Sequence, residues 1–581
     1  MIDSNELYFG LSKEEFVKKY NRMMELTMPY NAILKREGYI DEELKLPRVA
    51  LYNSWSEQSP GHVHFNEIAR MVRTGINLAG GMCIESGMAG ANACMYNMDY
   101  DLPSREATFF SIESGMHRSA DAWVGLCSCD KVVPGMLLAA CRLDKPCILV
   151  SEGPAMPGPE YEGETILAGK GWGEVLYPKY FSGELSDEEL VREVMKATDV
   201  CEPCIGTCIE MTTGESMQQA IEGLGMCLPG TAGIPAVFSE RLRSSKRAGI
   251  TAVDLAKKKL KPSDIITEDS MRNAIAVLTA MGGGTNSFVH LQAVAYELDL
   301  DITPEDWDEI GRKVPTLINV APSDNRKVPN TMYSLHMAGG VPAVMLEIRD
   351  FLNLDCITVT GKTVRENLKD AKETCNTNVI RHRENPFHPE GTMVILKGNI
   401  APTCAVMRHS IVRNRELLQC SYEAVTFDSK TEAIRAILTR EPKEIKNGQA
   451  IVIRYEGPRG SAMPDLLGVN RAIRTVGLDR VCEITDGRTS GWTRDIPVIV
   501  NVCPEAYIGG PIVVVKDGDT IRLDTKNRRL DVDLSEEETK ARLNTWKPRE
   551  PQLKKGFAGL YPRLALQVDN GAGFPKEWTK E

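Results

Sequence analysis

The sequence lacks any apolar run long enough to cross a membrane, which takes about 18 or more consecutive apolar residues. Hydrophobic residues make up 42% of the 581 positions but are spread over short groups. The first six residues, MIDSNE, also lack the basic and apolar regions of a secretory signal. These absences predict a cytoplasmic protein that has no membrane partner.

Positive charge is scarce as well. The chain has 69 Lys and Arg residues against 80 Asp and Glu residues, which gives a formal net charge of −11. Such an acidic chain lacks the basic surface that binds the phosphates of nucleic acids, so no nucleic-acid partner is expected. A small anionic substrate is still compatible with this charge, because a local pocket can carry the opposite sign.

Cysteine, by contrast, is abundant, with 16 residues. Disulfide frameworks are rare in cytoplasmic proteins. We therefore expect most of these thiols to lie in the core, where free cysteine behaves as a small apolar residue. Others are candidates for binding a metal or an iron–sulfur cluster.

The order of apolar segments predicts two domains. Up to about Lys372, short apolar runs alternate with amphipathic segments, which is typical of a three-layer α/β/α domain around a parallel sheet. A polar stretch at 373–392 interrupts this pattern, and the short strand-like runs beyond it, including 511–515, indicate a barrel or a sandwich. We expect an α/β/α domain at 1–375 and a β-barrel-like domain at 376–581.

Several helix starts can be read from local signals. Ser-x-x-Glu capping boxes predict helices that begin after Ser12, Ser186 and Ser535. Pro134 predicts a further helix start, because proline is favoured in the first turn.

Three short motifs carry residue types that suit catalysis. The first is Cys129-Asp130-Lys131, which follows an apolar run and precedes Pro134. Ligands bind at the carboxyl ends of strands in open α/β sheets, and a thiolate, a carboxylate and an amine could serve a soft metal, a hard metal and a charge partner. A solvated turn beside a structural cysteine would explain the same residues.

The second motif is the Cys-x2-Cys-x3-Cys run of Cys201, Cys204 and Cys208. Pro203 and Gly206 indicate a loop, which can wrap thiolates around an iron–sulfur cluster or zinc. A second pair at zinc-finger spacing is absent, so structural zinc is less favoured. The alternative is a cysteine-rich segment that merely precedes a helix.

The third motif, at 485–491, reads TDGRTSG and holds Ser490 in a tight turn. A serine beside a glycine could be an exposed nucleophile or base, although no Gly-x-Ser-x-Gly elbow is present. Serine turns are common, so this motif decides nothing alone.

Together with other short stretches, these motifs resemble the dihydroxy-acid and sugar-acid dehydratase family, over nearly the whole chain. The matching segments lie at 53–57, 102–106, 129–131, 206–208, 282–286, 339–344, 361–363, 398–402, 454–458 and 485–488.

The resemblance implies a hydro-lyase that converts a 2,3-dihydroxy carboxylate to a 2-oxo acid. Such enzymes use an iron–sulfur cluster held by three cysteines as Lewis acid, a neighbouring Mg²⁺ and a serine alkoxide as base, and metal ions suit this chemistry because hydroxide is a poor leaving group. Carried over to this chain, Cys129 and Cys208 are cluster ligands and Ser490 is the base. The metal residues are Asp130, Lys131, which looks like the lysine that is carbamylated in the family, and Asp465, one methylene shorter than the family's Glu.

The departures from the family pattern concern the cofactors. Gly61 stands where the family's Ser-Pro-Cys-Asn motif has its first cluster cysteine, so one thiolate is missing and the cluster type, [2Fe-2S] or [4Fe-4S], stays undecided. Glu85 is the best candidate for a further Mg²⁺ carboxylate. The residues that could replace the missing thiolate are Cys83, Cys94, Cys127 and Cys204, with His62 or His64 as imidazole alternatives, His64 chiefly structural.

Three functions fit the sequence. The first is a cluster-containing dehydratase of a sugar acid or a branched-chain dihydroxy acid, and the second is a cluster-free lyase that uses Mg²⁺, Lys131 and Ser490. The third is a non-catalytic family member that binds a metabolite. Lys131 is the next candidate base after Ser490, and the resemblance implies a homodimer or homotetramer.

Overall fold

The computed structural model describes residues 9–27, 29–88, 100–161, 164–165, 176–201, 203–322 and 330–577. Within these ranges, no helix is long and apolar enough to span a membrane. The strands are β1 (Arg48–Asn53), β2 (Met82–Gly87), β3 (Ala122–Cys127), β4 (Cys147–Ser151), β5 (Glu160–Tyr161), β6 (Glu164–Thr165), β7 (Met393–Gly398), β8 (Ala401–Arg408), β9 (Gln419–Phe427), β10 (Gln449–Ile453), β11 (Cys482–Thr485), β12 (Val498–Cys503), β13 (Thr520–Asp524) and β14 (Arg529–Val532).

The α-helices of the described residues are α1 (Lys13–Thr27), α2 (Pro29–Arg36), α3 (Phe65–Leu78), α4 (Asp101–Gly115), α5 (Cys129–Leu143), α6 (Tyr177–Phe181), α7 (Asp187–Cys201), α8 (Thr213–Gly223), α9 (Ser239–Lys258), α10 (Pro262–Ile265), α11 (Glu268–Met281), α12 (Asn286–Glu297), α13 (Pro304–Lys313), α14 (Met332–Met337), α15 (Gly340–Glu347), α16 (Val364–Asn367), α17 (Lys430–Thr439), α18 (Pro458–Ser461), α19 (Leu467–Thr475), α20 (Glu536–Thr545) and α21 (Tyr561–Leu564).

The N-terminal half is built around a four-stranded parallel sheet with the order β2-β1-β3-β4. Helix α3 connects β1 to β2 and α5 connects β3 to β4, in opposite directions along the sheet. Because such crossovers are right-handed, the two helices lie on opposite faces, where α3 packs on α9 and α5 on α4. This confirms the predicted α/β/α class, and it brings the ends of β3 and β4 to one edge.

The C-terminal half contains a closed eight-stranded barrel with the order β10-β11-β12-β8-β7-β14-β13-β9. Apolar side chains of alternate positions, such as Val394 and Leu396 on β7 and Cys482 and Ile484 on β11, fill its interior. Outward-facing apolar positions join the core that is shared with the surrounding helices, where α17 lies beside β9 and β10 and α13 beside β7. The predicted barrel is therefore confirmed, and the division at residue 375 stays a prediction.

All three predicted helix starts are confirmed, with complete capping boxes at Ser12 and Ser186 and with the serine cap alone at Ser535. The amides of Glu15, Glu189 and Glu538 donate to the hydroxyls of Ser12, Ser186 and Ser535 at 3.2, 3.3 and 3.1 Å. Each bond satisfies one amide that the first helical turn leaves without a partner.

Two predicted elements are wrong. Helix α5 begins at Cys129, five residues before Pro134. Proline has no N–H, so the helix lacks one backbone hydrogen bond at this position, and the buried helix tolerates that loss. The segment 511–515 is not a strand: Pro511–Val514 forms a 3₁₀ turn, and proline at its start has no N–H for a sheet ladder.

Candidate active site

The first motif lies where the carboxyl end of β3 turns into α5. Ser128 is extended, and Cys129 has a φ of +57°, a left-handed conformation that is strained for a residue with a side chain. Asp130 and Lys131 follow in the first helical turn and are 7% and 0% exposed, whereas Cys129 is partly exposed. The strained turn thus sends three reactive side chains to one edge of the sheet.

Lys131 forms a buried ion pair with Asp101, a residue that sequence analysis missed. Its Nζ lies 3.3 Å from Asp101 Oδ2 and 3.9 Å from Asp130 Oδ2. Asp101 begins α4 and is fully buried, and its Oδ1 has no partner among the described residues. The sequence signal that could have identified Asp101 is its position directly before the family segment at 102–106.

A single guanidinium connects the two halves of the site. Arg488, which follows β11 of the barrel, donates to Asp465 Oδ2 at 3.2 Å and to Asp101 Oδ2. Its Nε also donates to the carbonyl of Met463 at 3.0 Å. Asp465 is 3% exposed and accepts a second hydrogen bond from the amide of Leu467 at 2.7 Å.

The carboxylates of this cluster influence each other. Burial raises the pKa of Asp465 to about 6, and the charge of Asp130 adds to the increase while Lys131 opposes it. Burial also raises the pKa of Asp130, against the effect of Lys131 and of hydrogen bonds from Thr213 and Gly214. These mutual effects show that Asp130, Lys131 and Asp465 share one electrostatic environment.

Ser490 reaches the site on the turn after Arg488. It is 9% exposed, and its Oγ accepts a hydrogen bond from the amide of Trp492 at 3.2 Å. A side chain at the next residue, Gly491, would place its Cβ 2.6 Å from Cα of Thr212, so this glycine lets the turn lie directly on the start of α8.

Residues 212–214 therefore contact both halves of the predicted site. They hold the Ser490 turn on one side and donate hydrogen bonds to Asp130 on the other. Asn286 strengthens the junction, since its Nδ2 donates to Thr213 Oγ1 at 2.9 Å and to the Thr489 carbonyl at 3.1 Å. This arrangement supports a site between the domains.

Glu85 has different partners. It lies on the edge strand β2, where its oxygens accept hydrogen bonds from Asn53 Nδ2 and Arg73 Nη2, both at 2.9 Å. Its side chain is 30% exposed. Its role as a metal ligand stays a prediction.

The loop that carries Cys208 interlocks with two other loops. The amide of Gly206 donates to the carbonyl of Pro60 at 3.2 Å, and the amide of Thr207 donates to that of Gly153 at 3.0 Å. Cys208 is the next residue in the chain after these two contacts, which join its loop to the loop of Gly61 and to the loop after β4. Like Cys129, it is partly exposed.

The proposed replacements for the missing thiolate mostly have other contacts. Cys83 lies in the core of the sheet domain, and the Cys127 thiol donates to the Val150 carbonyl at 3.7 Å. Cys204 Sγ accepts from the amide of Met156 at 3.2 Å. Cys94 lies outside the described residues, so a third thiolate stays a prediction.

The two candidate histidines are neutral at physiological pH. Burial lowers the pKa of His62 and of His64 to about 4. His62 Nδ1 shares hydrogen bonds with the carbonyl and hydroxyl of Ser54 at 2.8 and 3.0 Å, and the His64 ring stacks on Phe65.

The donor set fits Mg²⁺. Asp101, Asp130 and Asp465 face the cations Lys131 and Arg488, which leaves one negative charge uncompensated when all are ionised. Across the ranges that the structure covers, no three His, Cys, Asp or Glu side chains are arranged to hold a metal ion. Mg²⁺ usually takes one or two carboxylates and completes its shell with water and substrate, so Asp130 and Asp465 are candidate ligands. For an iron–sulfur cluster, Cys129 and Cys208 fit, while Gly61 supplies no thiolate.

Comparison with known proteins identifies close similarity over most of the chain. The model of the dihydroxy-acid/6-phosphogluconate dehydratase N-terminal domain matches residues 46–367, and that of the C-terminal domain matches residues 378–572. Proteins named dihydroxy-acid dehydratase from Acetivibrio thermocellus and Ignicoccus hospitalis are each 41% identical, over 557 and 553 residues. One from Pyrococcus abyssi is 39% identical over 555 residues. In each case the match covers 94% of this chain and 97% of the relative.

Proposed function

The chain belongs to the dihydroxy-acid/6-phosphogluconate dehydratase family and is a hydro-lyase, and we propose that it removes water from a 2,3-dihydroxy carboxylate to give a 2-oxo acid. The observation that carries this proposal is the meeting of both halves of the chain at residues 212–214. There the Ser490 turn from the barrel side contacts the segment that donates to Asp130.

Two cofactors belong to this proposal. Mg²⁺ would be held by Asp130 and Asp465, with Lys131 beside them and Glu85 as a further candidate, and an iron–sulfur cluster, [2Fe-2S] or [4Fe-4S], by Cys129 and Cys208. When bound, the two groups supply the positive charge that stabilises the leaving hydroxide and the charge that develops on the substrate.

Ser490 is the proposed base for the C2 proton. A serine hydroxyl is too weak an acid to ionise unaided near neutral pH. The Trp492 amide donates to its Oγ, and a hydrogen bond to the charged form lowers a pKa. Nearby positive charge, which Lys131, Arg488 and a bound cation would supply, acts in the same direction.

Lys131 is the less suitable base, because its amine pairs with two carboxylates. These carboxylates hold the unmodified amine as a charge partner between them. We therefore assign Lys131 to holding the charge balance of the pocket and Ser490 to moving the proton.

The substrate class includes sugar acids and branched-chain dihydroxy acids, and the active form would be a homodimer or homotetramer. A cluster-free lyase is the second candidate, and the observation that favours it is Gly61 in place of a cluster cysteine.

The test begins with anaerobic purification and analysis of iron and acid-labile sulfide. The protein is then assayed for 2-oxo acid formation from a panel of aldonic acids and branched-chain 2,3-dihydroxy acids. Product without any iron would favour the cluster-free lyase, and no product from either class would contradict the proposed function.

Ser490→Ala is expected to lower turnover on the identified substrate by ~10² or more, the scale of losing a positioned proton-transfer group. Metal content and fold should be unchanged. Ser421→Ala, on the exposed surface of β9, is the matched control. Near-normal turnover of the Ser490 variant would remove it from the mechanism and point to Lys131.

A further inference from the structure

The space beside Gly61 is occupied by an acidic side chain. A Cβ at this position would lie 2.3 Å from Glu152 Oε1 and 2.7 Å from Ser128 Oγ. Real Cβ atoms do not approach other atoms so closely, so a cysteine could not stand at position 61 while Glu152 keeps its place. The carboxylate of Glu152 therefore fills the volume that a thiolate-bearing side chain would need.

Glu152 is buried with little hydrogen bonding: the Ser128 hydroxyl lowers its pKa, but by less than burial raises it. It is 0% exposed, and neither of its oxygens accepts a hydrogen bond of ordinary geometry from any residue within the described ranges. Burial raises its pKa well above the usual value. Buried polar groups nearly always have partners, because an unpartnered one costs free energy. Glu152 is therefore a candidate for binding a positively charged group.

The nearest cation does not satisfy it. Arg241 is fully buried, but its guanidinium donates to the carbonyls of Ser151 and Ile234. Arg241 acts on Glu152 only through its charge, which lowers the pKa of the carboxyl less than burial raises it. A second positive group would therefore stabilise Glu152.

Glu152 lies at the same edge of the sheet as the two cluster cysteines. It follows β4 and Cys129 follows β3, and these strands pair at Cys127 and Ser151. The charge of Glu152 acts on the Cys129 thiol and, with burial, raises its pKa to about 12. The next residue, Gly153, accepts the hydrogen bond from Thr207, the neighbour of Cys208.

We propose that the carboxylate of Glu152 is the third protein ligand of the iron–sulfur cluster, in place of the side chain that Gly61 lacks. The inference rests on the proposed function, because it assumes that Cys129 and Cys208 hold a cluster. On binding, a Glu152 oxygen bonds to iron and the carboxyl proton leaves to solvent, with no change of oxidation state.

His62 is an alternative third ligand. Its ring nitrogen Nε2 has no hydrogen-bond partner within the described ranges. Glu152 is favoured over it because Glu152, not His62, fills the gap at Gly61.

The experiment compares four forms of the full-length protein after anaerobic reconstitution with iron and sulfide. They are the wild type, Glu152→Gln, the double variant Gly61→Cys with Glu152→Ala, and Glu222→Gln. Glu222 is a matched control, because it is also a buried carboxylate near Arg241 but accepts hydrogen bonds from the amides of Gly230 and Ala232. The readouts are iron and sulfide per chain, visible absorption, and electron paramagnetic resonance of the reduced cluster.

We expect Glu152→Gln to weaken cluster retention roughly tenfold or more, since even the loss of a partner of a metal ligand has that effect. The double variant should regain wild-type iron and sulfide with the spectrum of a cluster bound by three thiolates. Glu222→Gln should match the wild type.

Three results separate the possible failures. A wild type that binds no iron or sulfide would contradict the cofactor part of the proposed function. A wild type with a cluster whose content and spectra are unchanged in Glu152→Gln would overturn the present inference alone. Loss of the cluster in His62→Ala, together with its retention in Glu152→Gln, would overturn it in favour of an imidazole ligand.

Discussion

Two fully buried carboxylates occupy equivalent places in the two halves of the molecule. Glu152 directly follows the parallel strand β4, and Asp486 directly follows the parallel strand β11. Asp486 accepts hydrogen bonds from the amides of Tyr455, Glu456 and Ala506 at 3.1, 3.0 and 2.8 Å. Glu152 accepts none from the described residues.

The two carboxylates differ in their hydrogen-bond donors, and the proposed ligand of Glu152 follows from that difference. In the barrel, backbone amides replace the water that Asp486 loses on folding, so the side chain fixes the turn that carries Arg488 and Ser490. In the sheet domain, no described backbone amide does the same for Glu152, and the proposed cluster would supply the missing partner. Burial alone therefore does not distinguish the two carboxylates, but their hydrogen-bond donors do.

The largest effect is expected for Asp486→Ala. The substitution leaves three buried amides without an acceptor, at ~1–3 kcal/mol each, so the free energy of unfolding should fall by about 5 kcal/mol. Urea denaturation followed by circular dichroism measures it. If the free energy of unfolding fell by less than about 1 kcal/mol, the hydrogen bonds from backbone amides to Asp486 would not distinguish it from Glu152.

Asp101→Asn should have the next largest effect. Asp101 is intermediate between the two carboxylates, because Oδ2 pairs with Lys131 and Arg488 while Oδ1 has no partner among the described residues. Breaking a buried ion pair leaves uncompensated charge and costs ~3–5 kcal/mol. We expect about 3 kcal/mol, since asparagine keeps an acceptor oxygen. An unchanged midpoint in urea would show that Lys131 and Arg488 are satisfied elsewhere.

Much of the fold could be predicted from the sequence because its signals are local. The helix caps at Ser12, Ser186 and Ser535 involve residues that are close in the sequence, and so does the alternation that predicts the sheet domain. The strand predicted at 511–515 failed because an apolar run does not distinguish a strand from a 3₁₀ turn when proline stands at its start.

The candidate site was only partly predictable. Motifs identified Cys129, Asp130, Lys131, Asp465 and Ser490, because their spacing follows a family pattern. Asp101 and Glu152 belong to no such pattern, and their proposed roles depend on contacts between distant parts of the chain. Asp101 pairs with Arg488, which is 387 positions away, and Glu152 lies beside Gly61. The sequence shows that Gly61 has no side chain, but only the structure shows that Glu152 occupies the space beside it.

A pH experiment extends the comparison to a partly buried base of the barrel domain. His409 Nε2 pairs with the Gly391 carbonyl at 2.7 Å, and burial, with the charge of Arg415, lowers its pKa from 6.5 to about 3. Between about pH 6.5 and pH 3, His409 is therefore protonated in the unfolded chain but not in the folded chain. Stability from this group is present above pH 6.5 and falls by ~1.4 kcal/mol per pH unit on acidification toward pH 3.

His409→Gln should remove that slope. The measurement is the difference in unfolding free energy between the wild type and the variant from pH 7.5 to pH 5, at constant salt. The wild type should lose about 2 kcal/mol relative to the variant over that range. A difference that stays constant with pH would show that His409 titrates normally and that the barrel half accommodates a charge there.

The smallest effect on stability is expected for Glu152→Gln in protein stripped of iron. The substitution preserves volume and removes no hydrogen bond, because neither carboxylate oxygen has a donor among the described residues. The free energy of unfolding should therefore change by less than about 1 kcal/mol, the scale of one ordinary hydrogen bond. Asp486→Asn is the matched control, and it should be clearly destabilised because an amide group then faces backbone donors. If Glu152→Gln instead cost as much as Asp486→Asn, the carboxylate would have a donor in the folded apoprotein, and it would be structural in the same sense as its barrel counterpart.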